Sequence, residues 1–462
     1  MVAIAPFRAL RYNLDRIDLS TVVAPPYDVI SPADQESLYA RSPYNIVRLI
    51  LGKQRPEDTS SSNCYTRAQE TFSAWRHAGV LMRDAAPAFY LYEHAFTWEG
   101  QRLCRLGCVA LLVFDGSVPE GVLHHEATFE GPKADRTRLL EAVPANLSPI
   151  FFIYHDPTGQ LHDRLLHWSR EHAPLAAAQI PALPTQTAGQ TSDDVVRVWA
   201  VREPDVIRDL IQRFAPGRVL IADGHHRFSV AVSKRHQFGA VMGYFSWMED
   251  PAVRVRPIHR VIEIGPGGWA QWDARLKTLC HLRPVSGLEP VTSWLADGAG
   301  QGRFGYYQQG RFSQMVLREE ALAEWLLYPS VPLPLAGLDV TILHELLMPQ
   351  LLEPLPTEIS LREISQAEGL SSAARLHKRP RPWAGSFIPS APRQEPSYAR
   401  YTPDPSEAIA MADGHPGRCA WFLRPLPLTQ VFALAAQGLT LPQKTTYFYP
   451  KLLSGLLLNP FD

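Results

Sequence analysis

The feature that most constrains this chain is a short apolar strand, Arg218-Val219-Leu220-Ile221-Ala222, that runs without a spacer into Asp223-Gly224-His225-His226-Arg227, after which Phe228 to His236 has helical spacing. A strand that ends on Asp-Gly and opens a helix aims backbone N–H groups and the positive end of the helix dipole at one point, where anions bind. Gly224 lets a ligand approach the backbone closely, and Arg227 can fork two hydrogen bonds onto phosphate oxygens. His225 or His226 adds a donor, or a proton-transfer group near neutral pH. The turn suits a nucleotide phosphate better than a metal, because adjacent histidines lack the same-face spacing of a helical zinc pair. The competing reading is packing: Asp223 as an N-cap, Gly224 as a tight turn, one histidine in the core and Arg227 paired with a buried carboxylate.

Strand-like and helical segments alternate around this turn. Strands are expected at Tyr44 to Ile50, Ala88 to Phe96, Arg105 to Phe114, Ser148 to Tyr154, Val195 to Val201, Ala240 to Met248 and Val253 to Ile258. Helices are expected at Tyr65 to Ala78, Asp135 to Val143, Asp163 to His172 and Pro204 to Phe214, the last stopped by Pro216-Gly217. Trp98-Glu99-Gly100-Gln101 reads as a hairpin turn, Leu123 to Lys133 as a polar loop and Ala177 to Thr191 as a loop excursion. This mixture predicts an α+β fold with a mixed sheet and surrounding helices.

The chain's 462 residues allow two or three domains. The expected division is an N-terminal α+β domain over 1–264 carrying the phosphate site, a second α+β region over 265–370, a Pro-rich basic linker or insertion over 371–405, and a C-terminal segment over 406–462 that packs back on the core. Ile264-Gly265-Pro266-Gly267-Gly268 marks the first boundary, and seven prolines from Pro380 onward mark the linker, an extended tract able to present a protein-partner segment. A hydrophobic content of 46% with a formal net charge of -1 fits a globular chain and gives no global pull towards nucleic acid or anionic membrane. Met1 to Ser20 lacks the apolar core of a signal peptide, no later run is long and uncharged enough for a membrane span, and the five cysteines are scattered; a cytoplasmic protein with reduced thiols is expected.

A second polar cluster follows Leu123: His124-His125-Glu126-Ala127-Thr128, then Gly131-Pro132-Lys133-Ala134-Asp135-Arg136. A carboxylate, imidazoles, an ammonium and a guanidinium in one segment are equipment for binding phosphate and moving a proton, with Glu126 as candidate general base and His125 and His226 as further catalytic candidates. Lys133 and Arg136 are candidate phosphate contacts, although Lys133, Asp135 and Arg136 also suit a solvated helix start. His124, His125 and Glu126 permit a metal-dependent hydrolase reading that lacks a clear third ligand, so no metal site is assigned. Asp28, in Ala24-Pro25-Pro26-Tyr27-Asp28, and Asp135, His259, Arg260 and Lys444 are candidates to join the site, each with a surface or packing alternative. Neither a Walker-type loop nor a dinucleotide fingerprint is present.

The ordered set of motifs resembles domain-of-unknown-function family 1015, a prokaryotic family. It comprises Pro6 to Tyr12, Val23 to Ile30, His125-Glu126 with Thr128, Gly131 to Arg136, Ala145-Asn146 with Ser148 to Phe151, Ala222 to Arg227, His259-Arg260 and Pro442-Gln443-Lys444 with Thr446 to Lys451. More distantly, Asp223 to Arg227 is similar to the Gly-x-x-Arg phosphate motif of the ParB/sulfiredoxin-like superfamily, whose members bind ATP or CTP and include partition CTPases, sulfiredoxins and free-serine kinases. The reactive cysteine of sulfiredoxins is replaced here by histidine, so sulfinic acid reduction is not implied. What the resemblance implies is a nucleotide-binding core using ATP or CTP with magnesium. The expected activity is a kinase-like phosphotransferase acting on a small hydroxylated metabolite, with a free amino acid such as serine as the analogy. The alternative is a non-catalytic nucleotide-binding regulatory protein.

Overall fold

The computed structural model describes residues 2–128, 130–185, 194–215, 217–264, 268–352 and 398–461. The expected boundary at 265–267, the end of the excursion at 186–191 and most of the Pro-rich tract, 371–397, lie outside these residues. The fold is mixed α/β, with a mixed nine-stranded sheet, smaller sheets and helices. It forms two compact units: the first is Met1–Arg260, Arg400–Met411 and Phe422–Asp462, the second Val261–Ala399 and Ala412–Trp421.

Unit 1 is built on a nine-stranded sheet. Its strands are β1 (Ile4–Ala5), β2 (Phe89–Trp98), β3 (Gln101–Val113), β4 (Val122–Leu123), β5 (Ile150–Tyr154), β6 (Ala176–Ile180), β7 (Asp194–Val201), β8 (Val219–Asp223) and β9 (Ala240–Trp247). They lie in the order β4-β8-β5-β9-β3-β2-β7-β6, and β1 pairs with β3 at Leu111 and Leu112, beyond the end of the β2 pairing. The β4–β8 and β9–β5 pairs are parallel and the others antiparallel. The β2–β3 hairpin closes on Glu99 and Gly100, both at positive φ (48° and 78°), the two-residue turn whose twist matches that of paired strands.

Strand alternation gives the sheet two different faces. One carries Phe89, Leu91, Phe152, Ile221 and Phe245, covered by three amphipathic helices through Leu161 and Leu165 of Gln160–Glu171, Leu210 and Phe214 of Pro204–Phe214, and Phe228 and Ala231 of His225–Ser233. The other carries Tyr92, Phe151 and Tyr244 and meets the C-terminal segment. There Phe448 packs on Phe151, Arg105 donates to the Tyr449 carbonyl (3.2 Å) and the Leu453 N–H reaches the Tyr92 hydroxyl (3.4 Å). Unit 2 contains neighbouring antiparallel strands in the order Cys280–Val285, Arg311–Leu317, Arg303–Gln308. Within it Trp421 packs edge-on to Trp272, Phe304 and Tyr306.

Four local expectations are corrected. Tyr44 to Ile50 is not a strand: Val47–Ile50 is a short helix, because buried Asn45 donates to the Thr21 carbonyl (2.8 Å) and accepts from the Val47 N–H (3.0 Å), bending the chain before its apolar residues can pair. The helix expected from Asp135 starts at Glu130, with Pro132 in the first turn where its missing N–H costs nothing, so Lys133 is helical rather than in a loop. The excursion after Ala176 begins as β6, paired along the edge of β7. Beyond the expected Val253 to Ile258 strand, which runs over Arg254–Pro257, His259–Glu263 forms a further strand that was not expected. All five cysteines are free, and no described helix is long and apolar enough to cross a membrane.

Phe152 is fully buried, stacked 5.0 Å from Phe245 and edge-on to Phe228, with its ring where any side chain on Gly243 would stand. Truncating Phe152 to Ala should lower the stability of unit 1 by about 3–5 kcal/mol in urea unfolding; Met82→Ala, at a position 51% exposed, serves as the neutral control.

Candidate functional site

The turn that ends β8 opens onto a cleft of about 580 Å³ in unit 1. Gly224 holds φ 96° and ψ 27°, and the helix begins at His225, three residues earlier than expected, so both histidines belong to its first turn. No side chain caps this helix start, and Gly224, His225 and His226 line the cleft. Two constraints fix the glycine. A side chain would be strained at that φ, and its Cβ would stand 2.9 Å from Arg227 Nη2 and 3.1 Å from its Cζ.

Arg227 is committed to the protein. Its Nη1 donates to Ser148 Oγ and the Pro149 carbonyl at 2.7 Å each, and its Nη2 donates to Asp223 Oδ2 at 3.0 Å. Asp223 Oδ1 accepts from the Lys451 ammonium, 228 positions away in sequence. One carboxylate therefore braces two cations. Burial would push the Asp223 carboxyl up, but Lys451 and Arg227 hold it below the usual carboxylate range; Lys451, despite burial, is raised by Asp223 and Asp28. The Asp223 side chain carries no N-cap bond, because the N-cap position is Gly224.

Glu126 also lines the cleft, with a side chain about one-fifth exposed. It accepts a long hydrogen bond from the Thr445 N–H (3.4 Å), and burial pushes its carboxyl up against the opposing pull of Lys444 and Lys451. Lys444 lies in the cleft wall at φ 56°, and its ammonium makes no ion pair or hydrogen bond among the described residues. Asp28 lines the cleft from the Tyr27–Val29 turn, exposed and likewise without an ion pair among the described residues.

The histidines divide. His225 and His226 face the cleft and are both pushed down by burial, which favours the neutral imidazole. His125 lies behind His225 with ring centroids 4.7 Å apart; it is fully buried, bonded through Nε2 to Thr446 Oγ1 (2.9 Å), and lowered to about 3 by that burial. It fixes Thr446, and Thr446 lines the cleft. Among the described residues no group of three or more His, Cys, Asp or Glu is placed to hold a metal ion.

Lys133, Asp135 and Arg136 do not line the cleft. Lys133 pairs with Glu130 on its own helix (2.8 Å), and Asp135 accepts from the Tyr65 hydroxyl (2.7 Å). Arg136 donates to the Ile50 carbonyl (2.9 Å) and stacks 3.8 Å from the Tyr27 ring, so its influence reaches the cleft through Tyr27. His259 and Arg260 are also set back. His259 Nδ1 accepts from the Leu423 N–H (3.3 Å), while Arg260 donates to the Gln443 carbonyl (3.3 Å) and lies under Tyr401, which does line the cleft. Lys451, Arg256 and Tyr447 are cleft residues not named among the sequence candidates; Tyr447 and Lys451 fall within the Thr446 to Lys451 motif, whereas nothing in the sequence singled out Arg256.

Asp223 and Glu126 should affect stability with opposite signs. The depressed Asp223 contributes stability present above its unfolded pKa and lost as pH falls through its folded pKa, so Asp223→Asn should cost about 3–5 kcal/mol near pH 7, by leaving Lys451 buried without its carboxylate, and progressively less in acid. The raised Glu126 carboxyl is tolerated best when protonated, and its burial cost grows as pH rises through its folded pKa. Glu126→Gln should therefore match the wild type in acid and be the more stable protein at neutral pH. Urea unfolding of both variants from pH 2 to 7.5 checks the signs; a Glu126→Gln penalty that grows with pH would contradict them.

No curated protein matches the chain. Among solved structures, a conserved hypothetical protein from Pyrococcus furiosus is 11% identical over 72% of this chain and 89% of its own, at a TM-score of 0.30. SbnI with C-terminal truncation from Staphylococcus aureus is 10% identical over 76% of this chain and 86% of its own, at 0.31. A free serine kinase in complex with AMP is 11% identical over 71% of this chain and 84% of its own, at 0.30. Likeness at that level carries no argument about this chain's chemistry. The family match is of another order: the DUF1015 family, described as "Protein of unknown function", matches residues 4–341, and the chain belongs to it.

Proposed function

We propose that the cleft binds a nucleotide, ATP or CTP, and transfers a phosphoryl group to the hydroxyl of a small metabolite, a free amino acid such as serine being one example. The observation that carries this reading is the convergence on one cleft of an uncapped helix start, a Lys444 without an ion pair among the described residues and a mostly buried Glu126 whose carboxyl is pushed up. Phosphoryl transfer asks chiefly for positioning and charge stabilisation, which fits this equipment. The His225–His226 helix start and Lys444 would hold the phosphates, and Lys451, oriented by Asp223, would add positive potential. Glu126, poised nearer to neutral pH than an ordinary carboxylate, would take the proton from the acceptor hydroxyl. Asp28 and Glu126 are oxygen donors of the kind magnesium takes alongside substrate phosphates, and the ion would neutralise phosphate charge when bound. The similarity of the Asp223–Arg227 turn to the ParB/sulfiredoxin-like motif belongs to this proposal, with Arg227 bracing the turn rather than forking onto phosphate.

Purified protein incubated with ATP or CTP, magnesium and a panel of hydroxylated metabolites should consume nucleotide with one class of acceptor. Lys444→Ala should weaken nucleotide binding by about tenfold in titration calorimetry. Glu126→Gln should leave that binding within about twofold and lower turnover by about 10²–10⁴-fold. Absence of nucleotide binding by the wild type would remove the reading.

A further inference from the structure

The chemistry above leaves one Arg or Lys of the cleft, Arg256, without a task. Arg256 lies on the Arg254–Pro257 strand, directly opposite Tyr447 in the antiparallel pair with Thr446–Tyr449, and it lines the cleft. Its guanidinium stands 4.2 Å from the Tyr449 ring centroid and 4.8 Å from that of Trp98, two rings that pack 5.3 Å apart. Among the described residues it makes no hydrogen bond and no ion pair.

That combination differs from the other arginines around the site. Arg227 spends its donors on Asp223, Ser148 and Pro149. Arg136 also stacks on a ring, that of Tyr27, yet it bonds the Ile50 carbonyl and Asp135. Both are braces. Arg256 is held by ring faces alone, which orient a guanidinium without consuming its N–H groups, so its planar fork stays available. A fork of that kind matches a carboxylate or phosphate in two-point contact. Tyr447 links it to the proposed phosphate end: its backbone pairs with Arg256, and the Lys451 ammonium lies 4.7 Å from its ring.

We propose that Arg256 recognises an oxyanion, carboxylate or phosphate, on the second substrate, the molecule whose hydroxyl Glu126 serves. This rests on reading the cleft as a phosphotransfer site. The acceptor is then a hydroxylated anion, and Arg256 is the residue that separates it from neutral polyols.

The test is calorimetric binding of glycerate, glycerol 3-phosphate and glycerol to the full chain, with and without ATP and magnesium. At least one anionic probe should bind and glycerol should not, and the tighter of the two anions assigns carboxylate or phosphate. Arg256→Met should weaken that binding by about tenfold or more while ATP affinity stays within about twofold, and Arg256→Lys, which keeps the charge and loses the fork, should fall between. Unchanged anion binding in Arg256→Met, loss of ATP binding in its place, or no binding of either anion by the wild type would each overturn the proposal. Should Arg256→Met fail to fold, an undiminished affinity in Arg256→Lys overturns it. If ATP does not bind but the Arg256-dependent anion binding persists, the nucleotide reading and the second-substrate role fail together, and Arg256 stands as an oxyanion-binding residue.

Discussion

The cleft of unit 1 depends on one carboxylate shared by two cations. Asp223 ends β8, and its two oxygens take Arg227 from the next helix and Lys451 from the C-terminal segment. Each contact ties a different part of the chain to the same strand end. Arg227 carries the tie onward to Ser148 and Pro149 beside β5, so the helix start is fixed relative to two strands. Isolated burial of any of the three charges would cost several kcal/mol; together they satisfy one another, and removing one would leave the others exposed to that cost.

Lys444 stands in the same cleft wall without an ion pair among the described residues, and the helix start there has no side-chain cap. Lys444 and Lys451 pull the Glu126 carboxyl down, yet burial still pushes it up. Two carboxylates on the same cleft are thus driven in opposite directions by their surroundings, the arrangement that separates a structural anion from a proton-handling one. The arginines divide on the same logic: a guanidinium whose donors end on carbonyls and carboxylates is scaffold, and one held only by ring faces keeps its donors for a ligand.

Much of the architecture was legible because hydrophobic period is a local property. The β2–β3 hairpin, with its Glu99-Gly100 turn, and the helices at 160–171 and 204–214 follow from spacing that any short window contains. The failures had non-local causes. Val47–Ile50 became helical because Asn45 bonds to carbonyls more than twenty positions earlier, and Ala176–Ile180 became a strand because β7 offered an open edge. Site reasoning met the same limit. Lys133 and Arg136 have the residue types of a phosphate site, with Asp135 between them, but helix geometry gives the polar atoms of the three to Glu130, Ile50 and Tyr65.

By itself the sequence determined the strand-to-helix turn at Asp223-Gly224, since an apolar run, a residue that tolerates positive φ and a helical period are all written in consecutive positions. It likewise placed Glu126 and Lys444 among the candidates by residue type. Only the tertiary structure decided which charges are spent and which are spared, because that depends on partners such as Asp223 and Lys451, brought together from 228 positions apart. Charge type is encoded residue by residue; availability is a property of the packed chain.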